Sequence, residues 1–569
     1  MKRIVLTAVN SRYVHTNPAV RLLRAMAPSH TVVVEGTMQD PPLRLVRAIL
    51  SNHPDAVGFS GYIWNRQRML ELAGVLRQLQ PDLILFLGGP EFSYEGEDFL
   101  AAHPEIDFII PGEGELVYRG WLDHWEQTGN PLGAPGTLCR GTPFHHGPVI
   151  DLQELPFAYA EELSALTHRP VYYETSRGCP GRCAFCLSGQ RQTVRFMPLP
   201  KVRQELEALF AAGVSQIKLV DRTFNCHPDR AAAILDMALE LDARYHRCGA
   251  TNLHMEVRGD LLSEAFLSRL EKAPPGLFQL EIGVQSTYPP TRAAIHRQDD
   301  LSRLASNVRR IRAMRNTHLH LDLIAGLPYE DMASFERSFN EILSYGPHVL
   351  QLGFLKLLKG SELALRAQEL GMICCDFPPY EVVSTPWMSF EELAFLKDVE
   401  AVLEWTYNAQ AACHTLAAAT DALGQGAFAL FCRVARAFRS LGLMDRPLSL
   451  ENRYEGLYRA LNAMPELQAI PLEGLLRHDW ICHGKPNRYP HCLRPTPSPE
   501  AHAVMERSMA VGGLLAPLAG LSGAHRARLY HVENYDPPIV LQGRPAHQVL
   551  YRYADEDRGP ERCQYQVLA

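Results

Sequence analysis

Three cysteines in a C-x3-C-x2-C run, Cys179-Pro180-Gly181-Arg182-Cys183-Ala184-Phe185-Cys186, constrain this chain more than any other feature. They follow a short β-rich run at 171–175 and sit in a loop punctuated by glycine and proline, so the backbone can wrap three thiolates around one inorganic group. A [4Fe-4S] cluster takes Cys thiolates as ligands, and three protein ligands leave its fourth iron open for chemistry. A structural zinc loop is the competing reading. Tetrahedral zinc draws on two Cys or Cys/His pairs, and no second C-x2-C occurs anywhere in the sequence.

The remaining cysteines bear on the compartment. There are 13 in all, an odd number, scattered apart from the central three and the Cys374-Cys375 pair. In a chain of 569 residues that pattern reads as reduced thiols and a cytoplasmic location, not as a disulfide framework. Met1-Lys2-Arg3 is followed by an apolar run at 4–9 that is too short for a signal-peptide core. No run approaches 18 apolar residues, so no transmembrane helix is expected. The formal net charge is -7 with no long block of like charges, which argues against a polybasic arm for nucleic acid. The length gives a prior of about three or four domains.

Residues 1–125 alternate short apolar runs (4–9, 31–35, 56–60, 83–87, 107–110) with amphipathic segments such as 43–50 and 68–79. That alternation predicts five parallel strands in a doubly wound, flavodoxin-like (Rossmann-type) α/β domain. Ligands of such sheets sit at the carboxyl ends of strands, where the sequence places Asn10 to His15, Ser60-Gly61-Tyr62-Ile63-Trp64-Asn65, Gly88-Gly89-Pro90-Glu91 and Gly112-Glu113-Gly114-Glu115. Residues 126–165 read as a linker, with glycine and proline concentrated at 129–148.

From 166 to 385 strand and helix patterns alternate again. Runs at 171–175, 216–220, 253–257, 277–284, 318–324 and 349–358 make six βα-like units, a partial (β/α)6 barrel whose chemistry collects at strand ends. Cys226, just after one such end, reads as a small buried thiol. Residues 386–569 read as a mainly helical domain opened by an S-x-x-E capping box at Ser389 and Glu392, with a hairpin at 529–553. Cys482, His483, His491 and Cys492 invite a second metal site, but their spacing fits no common zinc pattern and they read as loop residues.

The cysteine run resembles the signature of the radical S-adenosylmethionine (SAM) superfamily, and Gly283-Val284-Gln285-Ser286 with Asp322-Leu323-Ile324-Ala325-Gly326-Leu327-Pro328 resembles its later barrel segments. The preceding Gly-Gly-Pro-Glu and Gly-Glu-Gly-Glu loops look like the cobalamin-binding domain of its B12-dependent members, and the tail from Pro379 resembles an uncharacterised subfamily of them. The resemblance implies three cofactors: a [4Fe-4S] cluster on Cys179, Cys183 and Cys186, SAM, and cobalamin. It puts Phe185, Asp221, Glu256, Arg258, Gln285 and Ser286 at SAM, and Asn10, Ser60, Tyr62, Trp64, Gly88, Gly89, Glu91, Gly112 and Glu113 at cobalamin. One departure is the missing D-x-H-x-x-G motif; the nearest histidine is His15, which reads as a loop residue ahead of a helix N-cap.

The expected activity is methylation of an unactivated carbon through a 5′-deoxyadenosyl radical, with a reductant such as flavodoxin or ferredoxin as partner and a substrate that no feature selects. A non-methylating rearrangement, oxidation or cyclisation, and a cobalamin or iron-sulfur sensor, are the alternatives.

Overall fold

The computed structural model describes residues 2–141, 147–189, 193–509, 513–518, 521–553 and 563–568. Residues 142–146 of the expected linker lie outside them. The chain divides into two compact units: Met1–Arg269 with Ile295–Arg297 and Leu355–Val382, and Leu270–Ala294 with Gln298–Phe354 and Val383–Ala569.

The first unit opens with the expected sheet: β1 (Ile4–Asn10), β2 (Thr31–Thr37), β3 (Ala56–Ser60), β4 (Ile84–Gly88) and β5 (Phe108–Ile110). Their order is β2-β1-β3-β4-β5, all parallel, as βα crossovers require. A sixth strand, β6 (Leu138–Cys139), adds antiparallel at the β5 edge from within the stretch read as linker. Two residues carry no periodic signal, which is why the sequence does not announce it.

Helices α1 (Pro18–Met26), α2 (Pro42–Leu50), α3 (Arg66–Leu79), α4 (Glu97–Ala102) and α5 (Glu115–Thr128) cover both faces. Asn17 caps α1 by accepting the Val20 N–H, with Pro18 at the first helical position. On one face Leu45, Ile49, Leu72 and Leu76 pack on Val5, Val57 and Leu85. On the other, Val20, Tyr118, Trp121 and Trp125 cover Ile4, Leu6 and Phe86. Each such fully buried side chain contributes about 1.5–3 kcal/mol, so two separate cores fix the sheet from above and below.

The same unit carries the parallel strands β7 (Val171–Tyr173), β10 (Gln216–Leu219) and β11 (Asn252–Glu256), with β10 between the other two. Between β7 and β10, a ribbon of β8 (Ser176–Arg177) and β9 (Arg195–Phe196) pairs Arg177 with Arg195 and closes the cysteine loop at its neck. The strap Leu355–Val382 returns to the first sheet. Tyr380 donates its hydroxyl to Glu91, Lys359 bonds Glu95, and Gly360 lies against the Tyr94 ring.

The second unit holds three further parallel strands, β12 (Phe278–Gln285), β13 (His318–Ala325) and β14 (Val349–Phe354), in that order. Helices Leu301–Met314 and Met332–Ser344 form the crossovers between them. The C-terminal region is mainly helical. The Ser389–Glu392 capping box opens Phe390–Leu403 with both reciprocal bonds present, and Cys413–Leu423, Ala427–Ser440, Leu450–Asn462 and Leu472–His483 follow. The expected hairpin pairs Tyr530–Leu541 with Arg544–Tyr553, and Cys563–Val567 adds a third antiparallel strand beyond the sequence reading.

Candidate cofactor cavity and cluster loop

The cysteine loop is pinned at its base by a fully buried carboxylate. Asp221, at the end of β10, accepts the Thr175 N–H at 2.8 Å, the Thr175 hydroxyl at 2.6 Å and the Ser176 hydroxyl. Burial pushes its carboxyl up, and these donors oppose that rise. Asp221 therefore orients the loop, its carboxylate oxygens taken up by Thr175 and Ser176. Gly178 links Arg177 to Cys179 at φ +103°, and a Cβ there would stand 2.4 Å from the Thr193 carbonyl where the loop returns. Only glycine lets the two limbs meet.

Each of the three thiols has a donor. Cys179 Sγ receives the Gly181 N–H at 3.3 Å and lies 3.3 Å from the Thr223 hydroxyl. Cys186 Sγ receives the Ser188 N–H at 3.4 Å, and Arg297 Nη1 lies 3.8 Å from Cys183 Sγ. Burial pushes the Cys183 thiol up, while Arg297 pulls the other way. Hydrogen-bond donors and a nearby cation favour thiolate over thiol, so the donor set suits metal-bound sulfur. Among the described residues no three His, Cys, Asp or Glu side chains close on one point as a single ion requires, those of the C-terminal region included. Cys226 is a half-buried thiol pushed up by burial, with Asp221 and Cys179 nearby.

Beside this loop lies a cavity of about 530 Å³. One wall is the carboxyl rim of the first sheet, with Ser60, Tyr62, Gly88, Gly89, Gly112 and Glu113; the other is Ser176, Arg177, Gly178, Leu187 and Ser188 of the cysteine loop. Six of the nine residues expected at cobalamin thus face one space. The other three are turned elsewhere. Asn10 bonds the His15 carbonyl and Glu35, and Glu91 is buried between Arg66 and Tyr380. Trp64 donates to the Val9 carbonyl and stacks on Tyr62 at 4.5 Å. His15 holds the Tyr172 hydroxyl through Nδ1 at 2.7 Å.

Arg177 joins the two walls. It pairs bidentately with Glu174 (2.9 and 2.8 Å) and bonds Glu113 at 2.7 Å and Glu115 at 2.8 Å. Arg195, its partner across the ribbon, grips Glu113 as well. Burial works against ionisation of Glu113, yet the hydrogen bonds from Arg195 and Arg177 outweigh it and hold its carboxyl below the usual range. Arg177, Glu115 and Arg195 all line the cavity. The sequence reading quoted Glu115 only as part of its loop, and the clasp needed tertiary structure to be seen.

Of the other expected SAM contacts in the first unit, Phe185 is half-buried beside Cys186. Glu256 lies 3.6 Å from Arg222, and Arg258 forks onto Asp260. In the second unit Gln285 ends β12 at φ +71°, just past a register shift, with its side-chain oxygen buried and unpartnered among the described residues. Ser286 is fully buried and donates to Glu330, which also receives the Ser338 hydroxyl at 3.4 Å.

Burial pushes Glu330 up to about 7, against the pull of those two serines. With its folded pKa above the ordinary carboxylate value, its contribution to stability is full at acid pH and is lost as pH rises from the ordinary value to about 7. Each pH unit in that window costs about 1.4 kcal/mol. Glu330→Gln keeps an acceptor for Ser286 and removes the ionisation. The variant should therefore gain on wild type in thermal midpoint between pH 5 and pH 8, and a pH-independent difference would refute the argument.

Comparison with known families matches residues 4–121 to the B12 binding domain, residues 173–342 to the radical SAM superfamily, and residues 368–542 to a family described as a protein of unknown function, DUF4080. The chain is a radical SAM protein with an N-terminal B12-binding domain. Its C-terminal region carries the DUF4080 domain. These domains give it the cofactor set of cobalamin, SAM and a [4Fe-4S] cluster.

The 2-(S-pantetheinyl)-carbapenam-3-carboxylate methyltransferase of Streptantibioticus cattleyicolor is 26% identical over 364 residues, 58% of this chain and 51% of that protein. The cobalamin-dependent radical SAM methyltransferase TokK of Streptomyces tokunonensis is 26% identical over 335 residues, 53% and 47% respectively. The chain thus spans about half the length of these curated relatives. The structure of TsrM, a radical SAM methyltransferase from Kitasatospora setae, with cobalamin and a [4Fe-4S] cluster bound, shares the fold at a TM-score of 0.55 and 16% identity, covering 67% of this chain and 82% of that one.

Proposed function

We propose that the chain is a cobalamin-dependent radical SAM methyltransferase acting on an unactivated carbon. The observation that carries this reading is the single cavity walled by the carboxyl rim of the B12-binding sheet and by the cysteine loop. Methyl donor and radical source can then address one substrate position. When bound, the cluster and SAM supply a hydrogen-abstracting radical, and cobalamin supplies the methyl group.

Cys179, Cys183 and Cys186 are the proposed cluster ligands, their thiolates favoured by Gly181, Arg297 and Ser188. Ser60, Tyr62, Gly88, Gly89, Gly112 and Glu113 are the proposed cobalamin contacts, with Trp64 backing Tyr62. Phe185, Glu256 and Arg258 are proposed for SAM in the first unit, and Gln285 in the second, where its buried oxygen has no partner among the described residues. The proposed electron donor is a flavodoxin or ferredoxin. The thirteen free cysteines suit a reducing compartment, so the cytoplasm is the proposed location. Among the described residues no helix is long and apolar enough to cross a membrane.

The test is anaerobic reconstitution with iron, sulfide and hydroxocobalamin, followed by SAM and a reductant. Near-stoichiometric corrin in the visible spectrum and S-adenosylhomocysteine release that depends on added corrin are expected. 5′-Deoxyadenosine without S-adenosylhomocysteine would replace methylation with a non-methylating radical reaction. A fully clustered protein that retains no corrin would end the cobalamin reading.

A further inference from the structure

The Arg177 clasp does more than join two walls. One guanidinium meets three carboxylates, Glu113, Glu115 and Glu174, and all four side chains are at least four-fifths buried. A simple staple between two loops needs only one such pair. Two further facts give the clasp a direction. Arg177 and Arg195 face each other across the ribbon that closes the cysteine loop, and both hold Glu113, so both limbs of that loop are tied to one rim carboxylate. Glu115 gives one oxygen to Arg177, while its other oxygen is buried with no partner in the wall of the cavity. A buried acceptor without a donor costs about 1–3 kcal/mol, and a ligand carrying an N–H relieves it.

We propose that Glu115 takes an amide N–H from the periphery of cobalamin in this cavity, and that Arg177 and Arg195 are positioning residues that carry this occupancy into the geometry of the cluster loop. The inference rests on the cobalamin reading given above. Primary amides ring the corrin, so the cofactor brings the donor that Glu115 lacks. The lever is short: Arg177 is separated from Cys179 only by Gly178. Lysine at 177 keeps the charge but cannot present the planar fork that holds Glu174 and both rim carboxylates together.

Coupling between two sites is reciprocal, so it is read from either side. Hydroxocobalamin affinity is measured by visible titration with the cluster in place and after its iron is removed by chelation, in wild type, Glu115→Gln and Arg177→Lys. The EPR spectrum of the reduced cluster is recorded with and without corrin. In wild type, removing the cluster should change affinity by at least about fivefold, and corrin should shift the cluster spectrum. Arg177→Lys should bind corrin with an affinity that no longer depends on the cluster. Glu115→Gln should bind about tenfold more weakly, the loss of one charge-assisted hydrogen bond. Iron content and circular dichroism establish that each variant is folded and loaded, and Arg195→Lys replaces Arg177→Lys if the latter does not load.

A wild-type affinity that ignores the cluster overturns the coupling, as does an Arg177→Lys protein that keeps the wild-type ratio. Equal binding by Glu115→Gln overturns the amide contact. A clustered wild type that takes up no corrin removes the cobalamin reading itself and this inference with it, an outcome distinct from the other three.

Discussion

Cys183→Ala is expected to abolish 5′-deoxyadenosine formation while leaving corrin uptake in place. Cys183 is the middle thiol of the run and the one beside Arg297. Its loss leaves two thiolates for a cluster that then has two open irons, and such a cluster is not retained. The broad visible absorption of the cluster and its iron should disappear together, and SAM cleavage should fall to background. The corrin contacts proposed above are on the opposite wall of the cavity, so hydroxocobalamin at saturating concentration should still bind at close to one equivalent. Iron analysis, the visible spectrum and product chromatography read the three quantities separately. Retained deoxyadenosine formation would show that the cluster is held elsewhere, and loss of corrin with the cluster would show that the two sites are one.

A large stability effect is expected at Gly89, in the loop after β4. Its φ is +97°, and a Cβ there would stand 2.5 Å from the Gly61 carbonyl oxygen and 3.0 Å from the Gly61 nitrogen. Both atoms are backbone of the neighbouring loop, so no side chain can rotate away. Gly89→Ala should therefore cost about 1–3 kcal/mol in backbone strain and about 1–3 kcal/mol more in overpacking. A domain of about 125 residues falls between the roughly 4–8 °C per kcal/mol of smaller domains and the roughly 2–4 °C of larger ones, so the midpoint of the N-terminal domain falls measurably by differential scanning calorimetry. Corrin affinity should fall with it, because the loops carrying Ser60 and Gly88 must separate. Gly74→Ala is the control. Gly74 is inside α3 with nothing within 4 Å of a Cβ, and there alanine should be neutral or stabilising by up to about 1 kcal/mol. A Gly89→Ala protein as stable as Gly74→Ala would show that the two loops part without cost.

Much of this architecture is legible from periodicity. The apolar run at 56–60 is β3 residue for residue, and the Ser389–Glu392 capping box stands where S-x-x-E places it. The loops at strand ends were legible too, because a parallel sheet gathers them on one rim, and Gly88, Gly89, Gly112 and Gly114 among them line the cavity. What the sequence did not disclose is where side chains turn. Asn10, Glu91 and Asp221 have the right chemistry in the right loops, yet Glu35, Tyr380 and Thr175 claim their polar atoms. The direction of a polar side chain on a rim is decided by whichever donor or acceptor arrives from elsewhere in the chain, and local spacing carries no record of that. The same holds for Arg177, whose three carboxylates come from two separate loops. The short strands Leu138–Cys139 and Cys563–Val567 were missed for a different reason: each is an edge strand whose existence depends on the sheet already being there.

The strap at Leu355–Val382 has a consequence for how the protein is made. Glu91 meets Tyr380 across 289 positions of sequence, and Glu95 meets Lys359 across 264. Domains generally fold as they leave the ribosome, amino end first, but the loop after β4 waits for the partners that Leu355–Val382 supplies. Until they arrive, Arg66 has two buried carboxylates to itself, and Tyr94 lacks the glycine that covers its ring. The first sheet can assemble early, while the loop carrying Glu91 and Glu95 gains its last partners only after the strap at Leu355–Val382 has been made.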